Sequence, residues 1–352
     1  MARQDILTAK EGAMAARFDT HPQYVPIIKW QKFEQRALSE LVAPVVGRTL
    51  PCIEVRLPGQ HASMLESYAD VWKQPALIDY SNPDGDLNAS RIKELNEFLK
   101  VVGGSGKLVT PVLNPATAAK DFPAIGPSLG NRKIALRLRL PEPGDAPGAI
   151  LIVKAALEVP GLRQRVERLI VDLGQTPAIS AANRPVLAAS LQALKGQGFK
   201  HVHLASGSFP ASLAHINGAG EVKRKDWELW TQINALAPDT LIGFADYGPL
   251  NPNWSEETLK RRGNRVIIRY ALNDKWRIIR GQNATKAESI AISKVMTTVY
   301  ANEFLGAPFS FGDRLIADRV DPAVPLKNKA GGHLHISEFW THHISYVLKK
   351  QY

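Results

Sequence analysis

Cysteine is nearly absent from this chain: Cys52 stands alone among 352 residues. One thiol closes no internal disulfide, which excludes a cross-linked secreted scaffold and suits a reducing compartment. Within "TLPCIEV" it reads as a small buried hydrophobe. Long apolar runs are missing too. None approaches the roughly 20 residues that cross a bilayer, and "MARQDILTAKEGAMAARFDTHPQ" lacks the continuous apolar core of a secretory leader. The expectation is a soluble, cytoplasmic protein with no membrane partner. Acidic charge is in short supply. The 33 Asp and Glu face 44 Lys and Arg, for a net charge of +11 and a pI near 9.6. Such an excess suits phosphate, nucleic acid or another anionic ligand, although solubility alone also accounts for this much charge on a large chain.

Nucleotide-loop and hydrolase signatures are lacking as well. "GGSGK" at 103–107 is followed by Leu108 where a phosphate loop needs Ser or Thr, and by a strand-like run where it needs a helix. "SGS" at 206–208 is not the GxSxG of a serine-hydrolase elbow. No GxGxxG follows the first apolar run.

The chain does contain a repeated grammar. Eight short apolar segments recur: 24–30, 49–56, 75–81, 107–114, 133–140, 167–174, 200–206 and 241–248. Their richness in Val, Ile and Leu fits strands buried on both faces. Helix-like segments alternate with them, such as "KFEQRALSELVAPV", "ASMLESYADVWKQ" and "NASRIKELNEFLKVV". The fourth connection, "PATAAKDFPAIGPSLGN", is rich in Pro and Gly and reads mostly as loop. Eight βα units predict an α/β fold, a (β/α)8 TIM-like barrel, against the rival open doubly wound sheet. Residues 1–23 read as a mobile lead-in of mixed composition. Residues 24–352 read as one barrel domain, with a β-hairpin inserted after the eighth strand at 261–282 and a C-terminal helical tail at 306–352.

Polar residues follow the apolar runs. Lys29, Glu54, Arg56, Asp79, Asn114, Arg137, Arg139, Asp172, His203, Ser206 and Asp246 all sit at or near strand ends. In a barrel these ends share the face that carries the active site. Glu54, Asp79, Asp172 and Asp246 are therefore the candidate catalytic carboxylates. Glu54, Asp79 and Asp246 form the candidate set for Mg²⁺, a cation that prefers oxygen ligands. Arg137 and Arg139 alternate along one strand and, paired with these acids, would instead make a buried ionic network with no catalytic role.

The hairpin carries seven cations and one acid, Asp274, over 261–282. Arg269, Arg277 and Trp276, with Lys29 and Arg56, are the candidate phosphate or nucleic-acid contacts; a solvated, charge-protected edge is the alternative. His342 and His343 are adjacent on a predicted helix, about 100° apart, and suit packing better than zinc.

"YVPIIKWQKFEQRAL", "LPCIEV", "FADYG", "IIRYALNDKWRIIRG", "FSFGD" and "WTHHI" together resemble the phage-type "beta protein" family. The resemblance runs from about Tyr24 to the C-terminus. It marks Lys29, Glu34, Glu54, Asp246, Tyr247, Gly248, Arg269, Trp276, Gly281, Asp313, His342 and His343. It implies a setting in phages or bacterial mobile and defence-like loci, with a protein partner from the same locus conceivable, and brings no established reaction. The residues themselves suggest a barrel mouth that binds or processes a nucleotide or nucleic acid: phosphodiester hydrolysis if metal binds, N-glycosidic hydrolysis by a carboxylate pair if none does. The alternative is a non-catalytic recognition module for nucleic acid or protein, with paired mouth charges and a binding hairpin.

Overall fold

Runs of Val, Ile and Leu become parallel strands because both of their faces can be covered, one by the barrel interior and one by helices. The computed structural model describes residues 20–56, 58–82, 85–103, 108–253 and 265–352. Of the expected lead-in, residues 1–19 lie outside this set, as do 104–107 of the "GGSGK" run and Arg261 and Arg262 of the basic hairpin.

The strands are β1 Val25–Lys29, β2 Cys52–Glu54, β3 Ala76–Asp79, β4 Val109–Leu113, β5 Ile134–Arg139, β6 Val166–Gln175, β7 His201–Gly207, β8 Ala219–Lys223, β9 Gly243–Asp246, β10 Ile267–Ala271 and β11 Lys275–Arg280. Strands β1 to β7 and β9 form a closed parallel barrel, each paired with its sequence neighbour and β9 with β1. The barrel therefore forms as the eight apolar runs predict. The hairpin β10–β11 is joined by β8, antiparallel to β11, into a separate three-stranded sheet.

Helices α1 Lys32–Ser39, α2 Val45–Arg48, α3 Pro58–Val71, α4 Ala89–Gly103, α5 Ala118–Leu129, α6 Ala146–Leu157, α7 Asn183–Lys195 and α8 Lys225–Leu236 link the barrel strands. The Pro-rich fourth connection is a correction. It is mostly helical, a short 3₁₀ turn and then α5, with Pro123 and Pro127 inside. Its buried Ala118, Ile125 and Leu129 hold it on the barrel despite the lost backbone donors. Three helices follow the hairpin: α9 Lys286–Thr298, α10 Phe311–Val320 and α11 His335–Tyr346. The last of these is no peripheral tail. Trp340 and Ile344 of α11, with Val347, Leu348 and Tyr352 beyond it, join the core between the barrel and its outer helices. Helix α11 covers the β9–β1 seam, where an eighth barrel helix belongs.

Two apolar layers result. Val25, Ile27, Cys52, Leu77, Val112, Ala135, Ile170, Ala205 and Ala245 fill the lumen. Ile28, Ile53, Ile78, Leu136, Leu169, Leu204 and Phe244 face the helices. The alternation is strict, as strand geometry requires, and it decides which polar strand-end residues meet. Cys52 is fully buried in the lumen, and burial pushes its thiol pKa up, so it acts as an inert hydrophobe.

Candidate functional site

Extending the lumen-facing rows toward the C-terminal ends of the strands places Lys29, Glu54, Arg56, Asp79, Arg137, Arg139, Asp172 and Tyr247 around one mouth. Arg137 stands at the centre, 2% exposed. Its Nη1 donates to Glu54 Oε1 at 3.0 Å and to Asp79 Oδ2 at 2.7 Å. Its Nε and Nη2 both donate to Asp172 Oδ2, at 2.9 and 2.8 Å. Nη2 also donates to the Tyr247 hydroxyl at 2.8 Å, and that hydroxyl donates onward to Asp172 Oδ2 at 2.6 Å.

The remaining carboxylate oxygens are also occupied. Lys29 Nζ donates to Glu54 Oε2 at 2.6 Å, and Arg56 Nη2 to Glu54 Oε1 at 2.8 Å. Asp79 Oδ1 accepts from the backbone N–H and the hydroxyl of Ser81. Asp172 Oδ1 accepts from the Gly174 N–H at 2.9 Å, a contact that the left-handed turn at Gly174, φ 62°, allows without strain. Arg139 completes the ring loosely, 3.7 Å from Asp79 Oδ2 and 3.4 Å from Asp172 Oδ2.

Four cations thus meet three carboxylates. Burial would raise the pKa values of Glu54 and Asp172. The surrounding Lys and Arg charges, and the Tyr247 hydrogen bond to Asp172, more than reverse that and hold both below the usual carboxylate range. Burial pushes the Tyr247 hydroxyl well above its ordinary value, so it stays neutral. A general acid needs the opposite perturbation, so Glu54 and Asp172 are set up as fixed anions. The ends of the ring that reach solvent are cationic: the Arg56 and Arg139 side chains are 14% and 19% exposed, against 2% or less for the three carboxylates. Nε of each arginine is buried with no hydrogen-bond partner among the described residues. A Cβ at Gly85 would come within 3.0 Å of Arg139 Nε, so the backbone at this glycine packs closely against that atom.

Asp246 does not join the ring. Its neighbours Ala245 and Tyr247 face the lumen, so Asp246 faces out, toward α11. It accepts from Tyr24 Oη at 2.6 Å, lies 2.8 Å from His343 Nε2, and is fully buried. The proposed Mg²⁺ set of Glu54, Asp79 and Asp246 is therefore split between opposite faces of the barrel wall. Among the described residues no cluster of three or more His, Cys, Asp or Glu is arranged to hold a metal ion. The cation that the mouth carboxylates surround is the Arg137 guanidinium.

The hairpin contacts are likewise internal. Trp276 is fully buried, edge-on to Phe209 and 4.8 Å from the His343 ring, and is no exposed stacking platform. Arg269 donates to Pro249 O at 2.6 Å and lies between the Phe209 and Phe339 rings. Arg277 makes a two-pronged pair with Glu303, at 2.8 and 2.7 Å, and covers the Tyr300 ring. His342, 2.9 Å from Asp313 Oδ2, and His343 both serve packing. The pairing of Arg137 and Arg139 with these acids is the ionic network that their alternation along β5 suggested; Ser81 and the inward role of Tyr247 were not among the candidates, although strand parity places Tyr247 opposite Asp246.

Fold and site together define a (β/α)8 barrel protein with an ion-paired, net-positive mouth. The Beta protein family model matches residues 24–349, and the chain belongs to that family. No curated protein and no solved structure matches it. Among the described residues no helix is long and apolar enough to cross a membrane.

Proposed function

We propose that the C-terminal mouth binds a phosphate-bearing ligand, a nucleotide or nucleic acid, in the phage–host setting that the family resemblance implies. Binding, more than acid–base chemistry, is what the geometry favours. The observation that carries this reading is the charge arrangement of the ring: one cation in excess, with its two partly exposed members, Arg56 and Arg139, both guanidinium groups. A phosphate supplies acceptors of the right sign and number for such donors. Glu54, Asp79 and Asp172 then act as a frame that holds the guanidinium groups in place before the ligand arrives, which lowers the ordering cost of binding. Lys29 and Arg269, named from the sequence as phosphate contacts, stand back from this edge, one beneath Glu54 and the other against Pro249.

Calorimetric titration with inorganic pyrophosphate and with nucleoside triphosphates tests the reading. Binding that weakens at least about tenfold in Arg139→Gln is expected, about the loss of one charge-assisted contact. No measurable binding of any phosphate compound to the wild-type protein would sink it.

A further inference from the structure

Among the described hairpin cations Lys275 and Arg277 pair with acids and Arg269 and Arg280 donate to backbone carbonyls, whereas three basic side chains nearby make no such contact. Arg184 at the start of α7, Lys223 at the end of β8 and Lys225 at the start of α8 line one open groove of about 530 Å³. Their side chains take part in no ion pair or hydrogen bond to another described residue. Glu228 is the single acid in the lining, and it accepts from Gln232 at 3.2 Å. Two further donors in the lining are idle: Thr176 Oγ1 and Arg184 Nε are buried with no hydrogen-bond partner among the described residues. The lining thus sets three unpaired cations against one carboxylate.

The groove is tied to the mouth. Thr176 lies four residues beyond Asp172, just past the end of β6 at Gln175, and its N–H bonds to Gly207 O at the end of β7. Four residues of extended chain span at most about 14 Å, so Thr176 in the groove lining and Asp172 in the mouth ring lie no farther apart than that. The lining contains no aromatic ring, so there is no platform for bases. Its chemistry suits a sugar-phosphate backbone.

We propose that this groove, lined by Thr176, Arg184, Lys223 and Lys225, carries the phosphate backbone of a single nucleic-acid strand whose end occupies the barrel mouth. The inference rests on the phosphate reading of the mouth and extends it from a single phosphate compound to a strand.

The test is fluorescence-anisotropy titration of the full chain with an end-labelled oligothymidylate of about 12 nucleotides, within the usual range for one single-strand site, across a series of salt concentrations. In Lys223→Gln/Lys225→Gln, binding should weaken about tenfold and the slope of log K against log salt should become shallower by about 1.4, two contacts at about 0.7 each. Lys223→Glu, a reversal on an exposed side chain, should weaken binding further. An affinity and slope equal to wild type in the double variant would overturn the groove, even if Arg139→Gln weakens binding and so upholds the mouth. The converse, with the double variant impaired and Arg139→Gln equal to wild type, upholds the groove and removes the mouth. Displacement of the labelled strand by thymidine monophosphate at equal phosphate concentration would overturn a strand as the occupant.

Discussion

A planar guanidinium can serve three carboxylates only where its five donors diverge toward three different strands, and β5 places Arg137 where they do. Each buried anion of the mouth depends on it. Removing one partner of a buried ionic network leaves uncompensated charge and costs about 3–5 kcal/mol, far more than an exposed pair. Arg137→Met should therefore lower the unfolding free energy in urea by about that amount. Arg139→Gln, whose pairings are longer and partly exposed, should cost under about 1 kcal/mol. A stability for Arg137→Met within about 1 kcal/mol of wild type would mean that the carboxylates do not rely on this residue. The contrast also matters for function, because Arg139→Gln can report on ligand binding without collapsing the frame beneath it.

At the scale of elements, the accessory sheet shows why a basic hairpin is not by itself a nucleic-acid surface. Strand β8 brings Glu221 against Lys275 at 3.0 Å, and the turn after α9 brings Glu303 to Arg277. A double-mutant cycle on Arg277→Ala and Glu303→Ala should give a coupling of about 1 kcal/mol in stability, the upper part of the range for a two-pronged, partly exposed pair. Oligonucleotide affinity should stay within about twofold of wild type in Arg277→Ala; a tenfold loss would return the hairpin to the binding surface. The eight barrel strands were legible because Val, Ile and Leu runs of strand length are hard to place otherwise. Strand β8, "AGEVK", was not, since its side chains alternate between exposed and half-buried and it carries no apolar run. Helix α5 was hidden by Pro123 and Pro127, where tertiary packing outweighs propensity. The mouth carboxylates Glu54, Asp79 and Asp172 could be read from strand ends. Asp246 was misplaced because ending a strand says nothing about facing inward. The small residues Gly243 and Ala245 flanking Phe244 carried the missing information, for only the lumen positions are small there.

At the scale of the whole molecule, the barrel is closed from outside by a segment far along the chain, and that closure contains a buried histidine whose pKa is lowered. His343 of α11 docks against Asp246. Burial lowers its pKa below the ordinary value, even though Asp246 pulls the other way. At the opposite end of the barrel, burial and then Arg168 push His203 well below its ordinary value and His201 to about 4. A base whose folded pKa lies below its unfolded one takes up a proton on unfolding. Its contribution is complete above the unfolded value, near 6.5, and is lost as pH falls from there toward the folded value. The buried carboxylates act in a lower window. Burial would raise the pKa of Glu338, yet His335 and Arg319 bring it down to about 2, so its contribution disappears as pH falls from about 4.5. Acid should thus weaken the protein in two stages, the first belonging to the histidines. Between pH 7 and 5 the unfolding free energy should fall by up to about 1.4 kcal/mol per pH unit for each fully buried histidine, His203 and His343. Urea unfolding at half-unit pH steps measures this directly. His343→Gln removes its proton from the balance, leaving those of His201 and His203, and should make the upper stage shallower while leaving the stage below pH 4.5 in place. A wild-type profile that is flat from pH 7 to 5 would show that these imidazoles titrate alike in the folded and unfolded chain, which a dry seam between α11 and the barrel wall does not permit.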